Sequence, residues 1–116
     1  ATSISHDSHN IIVVGTNDED MAAAVNHIAE NGGGITVFDG GKCIGDVKLG
    51  IAGLMSDDPL IEVNRNLEDA KVRAVELGVS KLIDPFMALS FMSLPVIPKL
   101  RLTTRGVFDV ESQSYV

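Results

Sequence analysis

Asp39-Gly40-Gly41-Lys42 constrains the fold more than any other stretch of the sequence. A tight chain reversal demands positive φ at its centre, and glycine adopts it without a Cβ clash. Ile35-Thr36-Val37-Phe38 precedes the reversal and Cys43-Ile44-Gly45-Asp46-Val47-Lys48-Leu49 follows it. The whole segment is therefore predicted to be a β-hairpin. In its second strand Ile44, Asp46 and Lys48 share one face, while Gly45, Val47 and Leu49 share the other, so one side is more solvated.

The flanking segments supply further elements. Asn10-Ile11-Ile12-Val13-Val14-Gly15 is a β-branched run that reads as a strand buried on both faces. Thr16 and Glu19 have capping-box spacing, with Asn17 as an alternative cap, and the acids that follow suit the positive end of a helix dipole. Met21, Val25 and Ile28 mark one helical face, and Asn31-Gly32-Gly33-Gly34 stops the helix. A second helix starts at Ser56-Asp57-Asp58-Pro59, with Asp58 as cap and Pro59 at the first helical position. Leu60, Val63, Leu67, Ala70, Ala74 and Leu77 form its apolar stripe, and Gly78 ends it. Packing of this stripe onto a sheet is the simplest account.

After Asp84-Pro85 the chain turns apolar through Phe86, Met87, Leu89, Phe91, Met92 and Leu94. Core is the favoured reading of this segment, and an interface with another domain or subunit is the alternative. Pro95 and Pro98 forbid a long regular element there. Leu100-Arg101-Leu102-Thr103 alternates like a strand, and Gly106-Val107-Phe108-Asp109-Val110 reads as a short extended piece. The order of elements gives an α+β (mixed α/β) fold: a small mixed sheet, containing one β-hairpin, with helices packed on it.

Composition narrows the functional classes. A chain of 116 residues fits one domain and hides roughly two thirds of its unfolded surface. The net charge of −7, with no basic cluster and no tryptophan, argues against a nucleic-acid surface and against an anionic membrane as partner. Cys43 is the one cysteine, so no internal disulfide or cysteine-rich zinc site can form. No apolar run approaches the length of a signal peptide or a spanning helix, and a reducing cytoplasm is the natural expectation. The chain opens on Ala1 rather than Met, which suits a processed chain or a fragment equally.

Two of the three histidines fall in the first nine residues, within Ser5-His6-Asp7-Ser8-His9-Asn10. Histidine serves as general acid, general base or metal ligand near neutral pH, and Asp7 could orient a neighbouring imidazole or stabilise its cation. His6, Asp7 and His9 are the candidate catalytic residues, and Ser8 and Asn10 the candidate substrate-binding ones. On spacing alone a solvated tail is the simpler reading. His6 and His9 need more ligands to hold a metal, and no companion cluster is visible, so no metal site is assigned to this chain.

Other motifs yield to plainer readings. Gly32-Gly33-Gly34 follows a helix and precedes a strand, the reverse of a phosphate loop. The acids behind Val14-Gly15-Thr16-Asn17 would repel a dinucleotide's phosphates. Cys43 reads as a buried structural thiol, His27 as a surface or boundary residue, and Ser8 lacks the context of a hydrolase nucleophile.

Several stretches, in order along the chain, carry a family resemblance. They are Ser3-Ile4-Ser5-His6-Asp7-Ser8-His9-Asn10, Val13-Val14-Gly15-Thr16-Asn17-Asp18-Glu19-Asp20-Met21, Gly33-Gly34, Leu49-Gly50-Ile51-Ala52-Gly53-Leu54-Met55-Ser56, Asp84-Pro85-Phe86-Met87-Ala88-Leu89-Ser90-Phe91, Leu94-Pro95-Val96-Ile97-Pro98 and Gly106-Val107-Phe108-Asp109-Val110. Together they resemble the carboxy-terminal region of bacterial-type adenine deaminases, in the amidohydrolase superfamily. The resemblance implies that residues 1–116 are the carboxy-terminal domain of an enzyme that hydrolyses adenine to hypoxanthine and ammonia. It implies a divalent metal, manganese or iron, held by a preceding barrel whose His-rich motifs are absent here. That metal activates a water for attack on the ring carbon bearing the amine, while an acidic side chain shuttles protons. The implied partners are the barrel, adenine and further copies of the enzyme in a homo-oligomer. The 5–10 loop is then expected to close over the purine or to support the metal shell from the neighbouring domain, and the isolated chain is expected to be inactive. A non-catalytic module for ligand binding or assembly is the alternative of a different class.

Overall fold

The computed structural model describes residues 1–6 and 8–116. In chain order the elements are α1 (Asp18–Glu30), β1 (Gly34–Asp39), β2 (Lys42–Lys48), α2 (Leu60–Glu76), α3 (Pro85–Ser90), β3 (Leu100–Thr103), β4 (Gly106–Asp109) and β5 (Ser114–Tyr115). The α+β class holds. The expected sheet is present as two antiparallel ones, β1-β2 and β3-β4-β5.

The hairpin forms as its turn chemistry requires, with Gly40 and Gly41 at φ 56° and 75°. Its register contains one irregularity: Val37 lies opposite Gly45, but Phe38 lies opposite Cys43. Ile44 is therefore an extra residue in β2, a β-bulge. Strand alternation inverts across such an insertion. Cys43 thus joins Thr36, Phe38 and Asp46 on one face, and Ile44 packs against the core instead of sharing the face of Asp46.

Residues 1–3 widen this hairpin. The Ser3 amide donates to the Gly34 carbonyl at 2.9 Å, and the Thr36 amide donates to the Ala1 carbonyl at 2.9 Å. On the other side Thr2 and Ile12 exchange amide-to-carbonyl bonds, both 3.0 Å long. Residues 10–15 are not the doubly buried strand that their composition predicts. Only Ile12 is bridged and buried, whereas Val14 is 70% exposed. The run lies on the outside of residues 1–3, so it has a partner on one side only.

Helices cover both faces of the hairpin. α1 is capped by Asn17, whose side chain accepts from the Asp20 amide at 2.8 Å, and it buries Ala24 and Ile28. Its last turn meets the face carrying Phe38 and Asp46. α2 lies on the opposite face, where Ala70 and Ala74 meet Ile35, Val37, Val47 and Leu49. The approach is close enough that a Cβ on Gly45 would sit 3.0 Å from the Ala70 Cα. Asp58 does not cap α2: Pro59 occupies the cap position with extended ψ of 139°, and no side chain bonds the first turn. The apolar stripe is buried in its middle and exposed at its ends, Leu60 and Leu77, because the helix overhangs the narrow sheet.

The segment around α3 corrects the core reading. Phe86 is buried, but Met87, Met92 and Val96 are exposed, as are Leu82, Leu100 and Leu102 nearby. α3 has only six residues and one buried aromatic, too few to enclose the rest. Asp84 holds it by capping Phe86 and Met87 and by pairing with Lys71 of α2 at 2.9 Å. Among the described residues no helix is long and apolar enough to cross a membrane.

Two outcomes follow. Gly45→Val should cost about 1–3 kcal/mol in urea denaturation, because the added atoms force α2 off the sheet. For Asp84, partial burial works to raise the carboxyl pKa, but the Met87 and Phe86 amides and the Lys71 ammonium outweigh it and leave the pKa lowered. The stabilisation is thus full above the unfolded carboxylate pKa of about 4 and is lost as pH falls through the lower folded value. Asp84→Ala should cost about 1 kcal/mol at neutral pH, and the gap to the parent should close in acid denaturation.

Candidate functional site

The 5–10 loop leaves the sheet from a buried root. Ser5 is fully buried, and its Oγ lies 2.6 Å from Ser93 Oγ. Ser93 Oγ in turn donates to the His6 carbonyl at 2.8 Å. A hydroxyl has one proton, so Ser5 is the donor of the pair. The His6 amide donates to the Ser90 carbonyl at 2.9 Å, and the His6 ring stacks on Phe91 with centroids 4.9 Å apart and planes 4° from parallel. The His9 amide closes the loop onto the Ser5 carbonyl at 2.8 Å, with His9 itself at φ 52°. Asp7 lies outside the described residues. The loop is thus tied to the α3 region across more than eighty positions of sequence, which a solvated tail would not be.

Beside the loop is a cleft of about 520 Å³. Ser8 and Asn10 line it together with Ser5, Ser93, Pro95 and Thr103. Two candidate substrate contacts therefore share one hollow, and His6 is fixed separately by its stack on Phe91. His6, Ser8, His9 and Asn10 are all exposed. A second hollow of about 370 Å³ lies between α1, β1 and the end of α2, with Val14, Met21, Phe38 and Leu77 in its wall.

A different group of chemically active side chains comes together on the α1 face. Among the described residues His27, Cys43 and Asp46 place their ligand atoms within 4.8 Å of one another. Cys43 is exposed rather than buried, because the bulge turns it away from α2 and the core. His27, a boundary residue as expected, contacts Asp46 Oδ2 at 3.1 Å. Sequence spacing conceals the group, since Cys43 and Asp46 would point to opposite faces of a regular strand.

Comparison with known proteins places the chain among relatives along its full length. The family model of the adenine deaminase C-terminal domain matches residues 1–114. The adenine deaminase of Desulfatibacillum aliphaticivorans is 52% identical over 116 residues, that of Bacillus subtilis 50% and that of Bacillus licheniformis 49%, each match covering all of this chain. The chain spans about a fifth of the length of these relatives, 20% in each case.

The root of the loop can be tested directly. Ser93→Ala strands the buried Ser5 hydroxyl and should cost about 1–3 kcal/mol in chemical denaturation. Adding Ser5→Ala removes the stranded group, so the double variant should be no less stable than Ser93→Ala alone.

Proposed function

The chain belongs to the adenine deaminase C-terminal domain family, and from that premise we propose that it is the carboxy-terminal part of an enzyme hydrolysing adenine to hypoxanthine and ammonia. The observation that carries this reading is the rooted loop: Ser5 is buried against Ser93, while His6, Ser8, His9 and Asn10 are presented outward beside a cleft. A loop anchored at its root holds its polar side chains in one place, as a binding or catalytic loop requires.

In this reading Ser8 and Asn10 offer hydrogen bonds to the edge of a purine, where the unprotonated ring nitrogens accept and the exocyclic amine donates. His6 and His9, with Asp7 between them, hold or pass protons at the rim of the site. The stack on Phe91 keeps the His6 imidazole in one plane, so its nitrogens point in fixed directions. When bound, the divalent metal of such an enzyme supplies a water of lowered pKa. The described loop residues do not fit that ion, because no third ligand joins His6 or His9 among the described side chains. The metal is assigned to the preceding barrel.

The exposed apolar side chains of residues 82–102 are the surface we assign to contact with that barrel. Leu82 is 94% exposed and Val96 71%, on a chain whose relatives are five times longer. Apolar patches of this kind mark interfaces. The exposed lone thiol of Cys43 suits a reducing cytoplasm. Homo-oligomer assembly belongs to the complete enzyme.

Adenine deamination should be absent from this chain alone and present when it is joined to the preceding region. Activity in neither would reject the enzyme reading, and tight purine binding by this chain alone would favour a module with its own site. In the joined enzyme His6→Ala or His9→Ala should lower kcat by about a hundredfold while circular dichroism shows the protein still folded. Full activity in both variants would leave the loop a structural role only.

A further inference from the structure

We propose that His27, Cys43 and Asp46 form a binding site for a borderline-soft divalent cation, zinc above all. Each residue reaches the site through a distinct feature of the fold. His27 lies in the last turn of α1, whose ring is held edge-on to Phe38 with centroids 5.5 Å apart. Asp46 projects from β2 opposite Thr36. Cys43 is brought to the same face by the bulge at Ile44, which inverts the alternation between the two ligands of β2. Backbone pairing with β1 fixes both strand positions, so the arrangement exists before an ion arrives.

The distances suit a small tetrahedral ion. His27 Nε2 lies 3.1 Å from Asp46 Oδ2 and 4.0 Å from Cys43 Sγ. Zinc bonds of about 2.0–2.1 Å to nitrogen or oxygen and about 2.3 Å to sulfur give ligand-to-ligand edges of roughly 3.3–3.7 Å. The third pair, Cys43 Sγ and the Asp46 carboxylate, lies within 4.8 Å, so side-chain rotation closes the figure by up to about an ångström. The Asn31 side-chain amide, 3.0 Å from the same His27 nitrogen, is one further polar group at the rim. Water takes the fourth position, as the exposure of Cys43 permits.

Donor type selects the ion. One thiol, one imidazole and one carboxylate favour zinc or its transition-metal neighbours over magnesium and calcium, which require oxygen ligands. Binding forms metal–thiolate and metal–imidazole bonds: the thiol proton leaves to solvent, and the neutral His27 ring switches tautomer so that Nδ1 carries the proton and Nε2, which faces Asp46, offers its lone pair; thiolate and carboxylate together neutralise the ion's charge. None of the three residues lines the cleft beside the 5–10 loop. The proposal is thus independent of the enzymatic reading.

The test uses the reduced, metal-stripped 116-residue chain. Zinc should bind with one-to-one stoichiometry and a Kd of about 10 µM or tighter in chelator competition. Cobalt in its place should give the near-ultraviolet absorption of a thiolate–metal bond. Because Cys43 is the one thiol, its alkylation by iodoacetamide reads occupancy without any substitution. Zinc should slow that alkylation at least about tenfold, and magnesium or calcium should not. Cys43→Ser, His27→Gln and Asp46→Asn should each weaken zinc about tenfold or more while leaving the circular dichroism of the chain unchanged. Cobalt without the thiolate band, zinc without protection of Cys43, or affinity retained in the three variants would each overturn the site.

Discussion

The pairing of Thr2 with its neighbours on both sides holds the rest of the structure in place. Thr2 is fully buried, and it bridges to Ile12 on one side and Ile35 on the other. Each backbone bond of this kind contributes about 1 kcal/mol net, but an unmade one in a buried position costs more. Ser3 extends the same seam: its hydroxyl donates to Gly53 O at 2.6 Å and accepts from the Gly34 amide at 2.9 Å. That draws the 49–55 turn onto the sheet, where a Cβ on Gly33 would stand only 2.3 Å from the Gly53 Cα. Glycine is the one residue that lets the two backbones meet there.

From that seam the chemistry-bearing groups inherit their positions. Two residues beyond Ser3, the hydroxyl of Ser5 bonds Ser93, and Ser8 and Asn10 beyond it line the cleft. On the far side of the hairpin, one inserted residue in β2 swings Cys43 toward Asp46 and His27. Both results come from backbone pairing first and side-chain chemistry second. Exposed apolar side chains collect around α3 and β3, where the chain has no layer of its own to cover them, and Val96 and Leu102 among them form part of the wall of the cleft.

Local chemistry was legible in the residues, and distant pairing was not. Gly40 and Gly41 specify their turn, and Asn17, the alternative to Thr16, specifies the start of α1, because each acts on backbone within a few positions; the short helix α3 and its Asp84 cap were not foreseen. Residues 10–15 have the composition of a buried strand, but composition cannot say that their partner is a three-residue segment at the start of the chain. Phe86 to Leu94 is apolar for the same reason a core is, and only the count of neighbouring layers separates a core from an interface. The loop residues 5, 6, 8, 9 and 10 were identifiable by type. Their anchorage on Ser90, Phe91 and Ser93 was not, since no local pattern links positions so far apart. The bulge that gathers His27, Cys43 and Asp46 leaves no mark that periodicity can detect.

The 5–10 loop is rooted in the fold through Ser5, His6 and His9 rather than being a solvated tail. Native-state hydrogen exchange reads this directly at the amides of Thr2, His6 and His9, which donate to Ile12, Ser90 and Ser5. The Thr2 amide should exchange with the β1 and β2 core, and the His6 and His9 amides should be slowed at least about a hundredfold relative to an unstructured chain. Exchange of all three at the rate of an unstructured peptide would contradict that anchorage.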